Sequence, residues 1–183
     1  VYYLHNPEQQ LDTVPRERFR SVMRDAFVLL EDRVQRGEIQ GYGCATWNGF
    51  RVPPQARAHL SLRELVELAR DAGGEGHHFQ VVQLPVNLAL NEAVRLPAEP
   101  SCRGGVIALL AAALELGVAV VASASLMQAQ LARGLPSQLA EAFPGLRTDA
   151  QRAIAFVRSL PGVVSALVGM KHPAHLEENL DGV

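Results

Sequence analysis

The sequence predicts an α/β protein in which parallel strands alternate with helices. Short apolar runs rich in valine alternate with longer runs of helical periodicity, and the strands recur about every 40 residues. Near-continuous apolar strands are typical of a parallel sheet that helices cover. The long loops follow the strands, whereas the turns before strands are short. This asymmetry predicts a functional edge at the carboxyl ends of the strands.

Five apolar segments bounded by turn residues are the predicted strands. They span residues 1–4, 39–45, 79–84, 118–124 and 164–169. The long loops that follow three of them comprise residues 46–60, 85–103 and 125–147. Polar residues at the strand ends are therefore the first candidates for a site.

The first predicted helix is about 20 residues long. Apolar residues recur at helical spacing from Phe19 to Val34, Pro15 lies near the first turn, and Gly37 follows the end. A second amphipathic run begins behind Ser61, a residue type that favours the N-cap of a helix.

Three more helices complete the pattern. The apolar run Val106–Leu116 predicts a helix that Gly117 ends. Thr148 and Gln151 have the spacing of a capping box, which predicts the start of the next helix. Pro173 is expected to open the last one.

The number of βα units suggests an incomplete barrel. Eight units and typically about 250 residues close a (β/α)8 barrel. The sequence opens inside an apolar strand, VYYLHNPE, without a methionine or a polar lead-in. We therefore expect residues 1–183 to be the C-terminal portion of a (β/α)8 barrel of the TIM type, covering its last five βα units. Strands should then pair in sequence order, with helices on the outer face only; a complete open sheet with helices on both faces is the alternative.

Composition limits the class of protein. With 183 residues, 48% of them hydrophobic, the chain can form one globular core. A net charge of -2 argues against a nucleic-acid partner. Cys44 and Cys102 form neither a zinc pattern nor a disulfide framework, which fits a reducing cytoplasm. No apolar run is typical of a membrane span or signal peptide. No metal site is predicted either, because His77 and His78 are adjacent and are expected in a solvated turn.

Three strand ends carry candidates for chemistry. His5 follows the first strand, where its ring could donate a hydrogen bond to a substrate oxygen. Gln83 ends an apolar strand, and its amide could bind a carboxamide with donor and acceptor together. Lys171 lies between the last strand and the helix that Pro173 opens, where unpaired N–H groups and the helix dipole favour an anion. For each residue, a structural or surface role is the alternative.

Several segments resemble, in order, strands 4 to 8 of the aldo-keto reductase family. They are YYLHNPE, GYG after RGEIQ, VVQLPVNL, GVAVVASASLMQAQLARG and PGVVSALVGMKHPAHLEENL. The last is the most specific, because it has the family's order of strand end, glycine, basic residue, polar turn and Glu-Asn on the helix. The resemblance covers essentially the whole chain. It implies a full-length enzyme that reduces aldehyde or ketone carbonyls to alcohols with NADPH.

The resemblance also implies roles for individual residues. His5 matches the active-site histidine that orients the substrate carbonyl, and Gln83 matches the glutamine that binds the nicotinamide carboxamide. Lys171 matches the basic residue that faces the 2′-phosphate of NADP(H). Glu178 and Asn179 match positions near the adenine.

The sequence departs from the family's pattern at the nicotinamide. Ala45-Thr46 occupies the position of a Ser-Asn pair, so the resemblance does not supply one of the carboxamide contacts. Ser123 occupies a cofactor-binding position where an aromatic residue usually stacks on the nicotinamide ring. The family's catalytic tyrosine and its lysine and aspartate partners precede the fourth strand. Tyr2 and Tyr3 do not match that tyrosine.

Three functions follow as hypotheses. The first is the NADPH-dependent reduction of a small carbonyl substrate by the full-length protein, with the isolated 183-residue chain inactive. The second is an NADP-binding regulatory subunit without turnover, which Ala45-Thr46 and Ser123 favour. The third is an interaction module built on a partial barrel, which is disfavoured because it would leave two sheet edges unpaired.

Overall fold

A computed structural model describes residues 1–181 as a parallel sheet packed against helices. The strands are β1 (Tyr2–His5), β2 (Tyr42–Ala45), β3 (Phe79–Pro85), β4 (Pro97–Pro100), β5 (Val106–Ala108), β6 (Ala119–Ser123) and β7 (Val163–Ala166). The helices are α1 (Arg16–Gln35), α2 (Leu62–Gly73), α3 (Glu92–Arg95), α4 (Leu109–Leu116), α5 (Gln138–Ala142), α6 (Asp149–Ser159) and α7 (Pro173–Leu180). A 3-10 helix, Pro7–Asp12, follows β1.

The main sheet has the order β1-β2-β3-β6-β7, and every neighbouring pair is parallel. Each strand therefore lies beside the strand that precedes it in this sheet, with a βα connection between them. This confirms the predicted strand order. The two remaining strands, β4 and β5, form an antiparallel hairpin in the loop that follows β3.

One hydrophobic core joins a single face of the sheet to α1, α2, α4 and α6. Phe27 of α1 lies at its centre, with ring centroids 5.2 Å from Tyr42 and 5.3 Å from Phe79. Core residues alternate along the strands, as Val82 and Leu84 do in β3, so the residues between them face the other side. This is the layer arrangement of a barrel wall, with its helices outside.

Gly43 is required where β2 and β3 approach each other. A Cβ atom at this position would lie 1.8 Å from the carbonyl oxygen of Val81. The register of the two strands also shifts between Tyr42 and Gly43. A residue with a side chain would therefore separate the strands below the carboxyl edge.

The prediction that a helix starts at Val106 was wrong. Val106–Ala108 form β5, and the helix begins at Leu109. Gly104–Gly105, with φ of +90° and +81°, make the hairpin turn. A short apolar run satisfies strand and helix periodicity alike, and pairing with β4 decides between them here. Three predicted strands are also shorter: β2 starts at Tyr42, β6 spans Ala119–Ser123, and β7 ends at Ala166.

The helix caps confirm the other predicted boundaries. The helix predicted near Phe19 spans 20 residues, Arg16–Gln35. Ser61 Oγ accepts a hydrogen bond from the Glu64 N–H at 3.4 Å. Thr148 and Gln151 form the capping box in both directions, at 3.2 and 3.1 Å. Within residues 1–181, no helix combines the length and the apolar character needed to cross a bilayer.

Candidate functional site

The carboxyl edge of the sheet brings His5 and Gln83 to one face. His5 pairs with Ala45, and Ala45 pairs with Gln83, so the three residues form a row on the face away from the helices. Neighbouring strands are about 4.8 Å apart, which separates the His5 and Gln83 backbones by about 10 Å. Ala45, which is buried, is the residue between them in the row.

The polar groups of this row are free to bind a ligand. His5 is exposed and Gln83 is half-buried. No side-chain hydrogen bond links either residue to another of residues 1–181. An imidazole and an amide on the same face, both without protein partners, can together hold a polar molecule at this edge.

Thr46 adds a buried hydroxyl beside Gln83. The Thr46 N–H donates to the Gln83 carbonyl oxygen at 2.8 Å, and Thr46 Oγ1 is buried without a partner among residues 1–181. Such an atom costs about 1 to 3 kcal/mol when it stays unpaired. A carboxamide bound beside Gln83 could satisfy it, so this residue fits a nicotinamide. Sequence reasoning treated Thr46 only as a departure from the family's pattern.

Ser123 ends β6, where it pairs with Pro85. Its side chain is on the same face of the sheet as that of Gln83, two residues nearer the carboxyl edge, and it is half-buried. Its hydroxymethyl group offers no aromatic plane for stacking. The structure therefore places Ser123 on the same face as His5 and Gln83, where it offers a hydroxyl group.

None of the three tyrosines lies at the carboxyl edge. Tyr2 lines a groove between β1 and α1 on the helix side of the sheet. Tyr42 is buried and donates to Glu31 Oε1 at 2.8 Å; burial and this bond raise its pKa. Tyr3 is on the same face of the sheet as His5 but two residues nearer the amino end of β1. Burial raises the pKa of its phenol.

Glu8 holds the loop that follows β2. Its Oε1 accepts hydrogen bonds from the N–H groups of Trp47, Asn48 and Gly49 at 2.8, 3.1 and 3.3 Å. Burial raises the pKa of the neighbouring Cys44 thiol, and the charge of Glu8 raises it further. No local sequence pattern indicates this role, because the three donors lie 39 to 41 residues away.

Asn87, which follows β3, is structural. Its Nδ2 donates to the Ala124 carbonyl at 2.9 Å, and its Oδ1 accepts from the N–H groups of Ala89 and Leu90 at 2.9 and 2.7 Å. It is fully buried. The side chain joins the loops after β3 and β6, and both of its polar atoms already bond to the protein.

The loop after β6 contains a left-handed turn built from residues other than glycine. Met127, Gln128 and Ala129 have φ of 47°, 53° and 67°. This conformation costs roughly 1 to 2 kcal/mol per residue and clusters at functional sites. The turn and Leu167–Gly169 line a cavity of about 580 Å³.

A second cavity, of about 530 Å³, lies at the carboxyl end of β7 and collects Lys171, Glu178 and Asn179. Lys171 is exposed and precedes α7, which begins at Pro173. It is the only lysine in a chain with 17 lysines and arginines together. The three residues predicted from this segment thus share one cavity, two strands away from Gln83.

Gln151 attaches α7 to α6 behind this cavity. Its Oε1 accepts from the N–H groups of Arg147 and Thr148 at 2.8 and 3.1 Å, and its Nε2 donates to the Glu178 carbonyl at 2.7 Å. Sequence reasoning identified Gln151 as a cap residue. It missed the contact with α7, whose partner residue lies 27 positions away.

No family model matches the sequence, and no curated protein matches it either. Among residues 1–181, no group of three or more His, Cys, Asp or Glu side chains could hold a metal ion.

Solved structures match the fold at low sequence identity. A thermostable aldo-keto reductase in complex with the inhibitor epalrestat aligns with 99% of this chain and 53% of its own, at 18% identity and a TM-score of 0.61. The holo form of an aldo-keto reductase from Bacillus halodurans aligns with 99% of this chain and 52% of its own, at 15% identity and a TM-score of 0.58. An aldo-keto reductase from Klebsiella pneumoniae in complex with NADPH aligns with 83% of this chain and 45% of its own, at 24% identity and a TM-score of 0.56.

The chain spans about half the length of these proteins. Its parallel sheet, strand order and one-sided helical layer are those of a barrel wall. The chain has the fold of part of a (β/α)8 barrel, and the solved structures that share this fold are aldo-keto reductases.

Proposed function

We propose that the protein containing this chain is an NADPH-dependent oxidoreductase that reduces aldehyde or ketone carbonyls to alcohols. Residues 1–183 are then the last five βα units of its barrel. The observation that supports this best is the row of His5, Ala45 and Gln83, in which an imidazole and an unpaired amide face the same side of the carboxyl edge. Free thiols at Cys44 and Cys102 fit a reducing cytoplasm.

The row would supply a hydrogen-bond donor at the carbonyl and a partner for the carboxamide. Bound NADPH would supply the hydride. The His5 ring would donate a hydrogen bond to the carbonyl oxygen and orient it. Gln83 would bind the nicotinamide carboxamide as donor and acceptor, with the Thr46 hydroxyl beside it. Ser123 would border the ring without stacking on it.

The cavity at the carboxyl end of β7 would hold the other end of the cofactor. Lys171 would pair with the 2′-phosphate, because an ammonium group at the start of a helix adds to the positive end of its dipole. Glu178 and Asn179 would contact the adenosine, since they line the same cavity.

Replacing Lys171 tests the cofactor assignment. Lys171→Ala should weaken NADPH binding by about 1 to 3 kcal/mol, the scale of a charge-assisted contact, and leave NADH nearly unchanged. Binding is measured by titration of the purified protein with each cofactor. Arg158→Ala, which removes an exposed cation from α6, is the control and should change neither affinity. An equal loss for both cofactors would contradict the assignment.

A regulatory subunit that binds NADP(H) without turnover is the second candidate. Ala45 and Ser123 favour it, because neither provides the polar or stacking contact usual at a nicotinamide. A panel of aldehydes and ketones with the full-length protein, in which the barrel is complete, separates the two functions. Tight NADPH binding without oxidation of NADPH by any substrate would favour the regulatory subunit.

A further inference from the structure

The cavity at the carboxyl end of β7 has a second cation that the sequence did not indicate. Arg133, from the loop after β6, lines the same space as Lys171 and His175. Lys171 precedes α7, so the two cations reach the cavity from two different segments of the chain. Ala129 and Ala150 give it an apolar lining.

The two cations carry net positive charge into this cavity. Within residues 1–181, neither Arg133 nor Lys171 has an ion-pair partner, whereas Arg147 and Arg152 nearby pair with Asp181 and Asp149. Glu178 is the one carboxylate among the residues that line the cavity. The lining therefore has one positive charge in excess, which an anion would compensate.

The loop that carries Arg133 is fixed on both sides of it. The Leu131 N–H donates to the Leu126 carbonyl at 3.1 Å, which closes the left-handed turn. The Leu135 N–H donates to Asp149 Oδ2 at 3.0 Å, which ties the loop to the start of α6. Oδ1 of the same carboxylate accepts from Arg152 at 2.9 Å, so Asp149 is already engaged and leaves Arg133 free.

We propose that Arg133 and Lys171 bracket one phosphate, and that Arg133 is the residue that makes this cavity specific for a phosphate monoester on an adenosine. A guanidinium presents two parallel N–H donors to a pair of phosphate oxygens, whereas an ammonium acts as a point charge. The apolar lining accepts the base. The inference rests on the proposed function, because it assigns a second ligand to the 2′-phosphate of the same cofactor.

The test uses adenosine 2′,5′-bisphosphate and AMP, which differ in the 2′-phosphate. Each is titrated calorimetrically into the purified wild-type protein and into Arg133→Ala, Arg133→Lys and Arg158→Ala. Arg133→Ala should weaken binding of the bisphosphate about 10- to 100-fold, as expected for a lost charge-assisted bond. The affinity for AMP should change less than about twofold. Arg133→Lys should recover part of the loss. Arg158→Ala, an exposed arginine elsewhere, should match wild type.

Lys171 gives an independent readout, because the chain has no other lysine. Bisphosphate should protect its amine from an acylating reagent, measured as loss of a single mass addition at Lys171 by peptide mass spectrometry. Protection of Arg133→Ala should need a bisphosphate concentration raised by the same factor as its dissociation constant.

The outcomes separate the two proposals. Bisphosphate binding that is equal in Arg133→Ala and wild type, with a loss in Lys171→Ala, would overturn the role of Arg133 and leave the proposed function standing. Equal losses of affinity for AMP and for the bisphosphate in Arg133→Ala would also overturn the role of Arg133. The residue would then act through the structure of its loop. A wild-type protein that binds neither bisphosphate nor NADPH would contradict the proposed function itself.

Discussion

At the scale of single residues, Glu31 connects three segments at the end of the sheet opposite the candidate site. Its Oε1 accepts from Tyr42 Oη at 2.8 Å and from the His78 N–H at 2.7 Å, and its Oε2 lies 2.8 Å from His78 Nδ1. A Cβ at Gly73 would lie 2.6 Å from the Glu31 carboxyl carbon, so α2 approaches closely only because this residue is glycine.

This cluster predicts acid sensitivity. Burial alone would raise the pKa of Glu31, but hydrogen bonds from His78 and Tyr42 outweigh it, so the pKa is lowered on folding. Its stabilisation is therefore present above the unfolded value of about 4.3 and is lost as the pH falls through the folded value. Glu31→Gln should reduce the free energy of unfolding at neutral pH by about 1 to 3 kcal/mol and flatten its decline in acid.

Urea unfolding at a series of pH values measures this effect. Glu17→Gln, an exposed glutamate of the same helix, is the matched control and should retain the wild-type pH dependence. A Glu31→Gln protein whose stability falls in acid as steeply as that of wild type would contradict the assignment.

His78 also marks a limit of sequence reasoning. The adjacent histidines were expected in a solvated turn, yet the His78 ring is half-buried and bonded to Glu31. The partner lies 47 residues away in the chain, and no local pattern connects them. His5 and Gln83 could be predicted as candidates because the end of an apolar strand is a local feature that the sequence displays directly.

At the scale of elements, the residues at the start of α6 both cap this helix and bind α7. Thr148 caps the helix, whereas Gln151 both completes the cap and donates to the Glu178 carbonyl of α7 at 2.7 Å. Gln151 is buried, so each of its hydrogen bonds is costly to lose. The two residues of one motif therefore differ in how far their effects should reach.

Paired substitutions test this difference. Thr148→Ala should cost about 1 kcal/mol of stability and leave α7 in place. Gln151→Ala should cost about 2 kcal/mol and also increase amide hydrogen exchange in α7 and weaken NADPH binding, because Glu178 and Asn179 lose their support. Thr148→Ser, which keeps the hydroxyl, is the control. Unchanged exchange in α7 of Gln151→Ala would show that the contact does not hold the helix.

The boundaries of elements were predictable where a cap marks them. Ser61, Thr148 and Pro173 carry the chemistry of a helix start in their own side chains, and the helices begin there. The start of α4 was not predictable in this way. Val106–Ala108 become a strand through pairing with β4, a contact that periodicity cannot report.

At the scale of the whole molecule, the sheet has two edges that no strand of residues 1–181 covers. Beside β1, a groove of about 340 Å³ is lined by apolar residues such as Leu4 and Leu29. Beside β7, Val164 and Leu167 are exposed. Unpaired edges next to apolar surface are the places where further βα units add to a sheet.

The sequence was sufficient to predict this architecture, because the βα period and the apolar strands are repeated five times along it. It could not predict the cavity near α7 in full. Arg133 reaches that cavity through the left-handed turn at Met127–Ala129, and no residue type in this turn is typical of such a conformation.

The open edges predict that catalysis depends on more than this chain. His5 and Gln83 occupy β1 and β3, but none of the three tyrosines lies at the carboxyl edge to protonate the carbonyl oxygen. Loss of a general acid typically costs about 10²- to 10⁴-fold in rate. The 183-residue polypeptide alone should therefore show no NADPH-dependent carbonyl reduction, whereas a protein in which three more βα units complete the ring should show it. Oxidation of NADPH, followed by absorbance with the same aldehydes and ketones, compares the two. Comparable turnover by the isolated polypeptide would show that its own residues contain the acid.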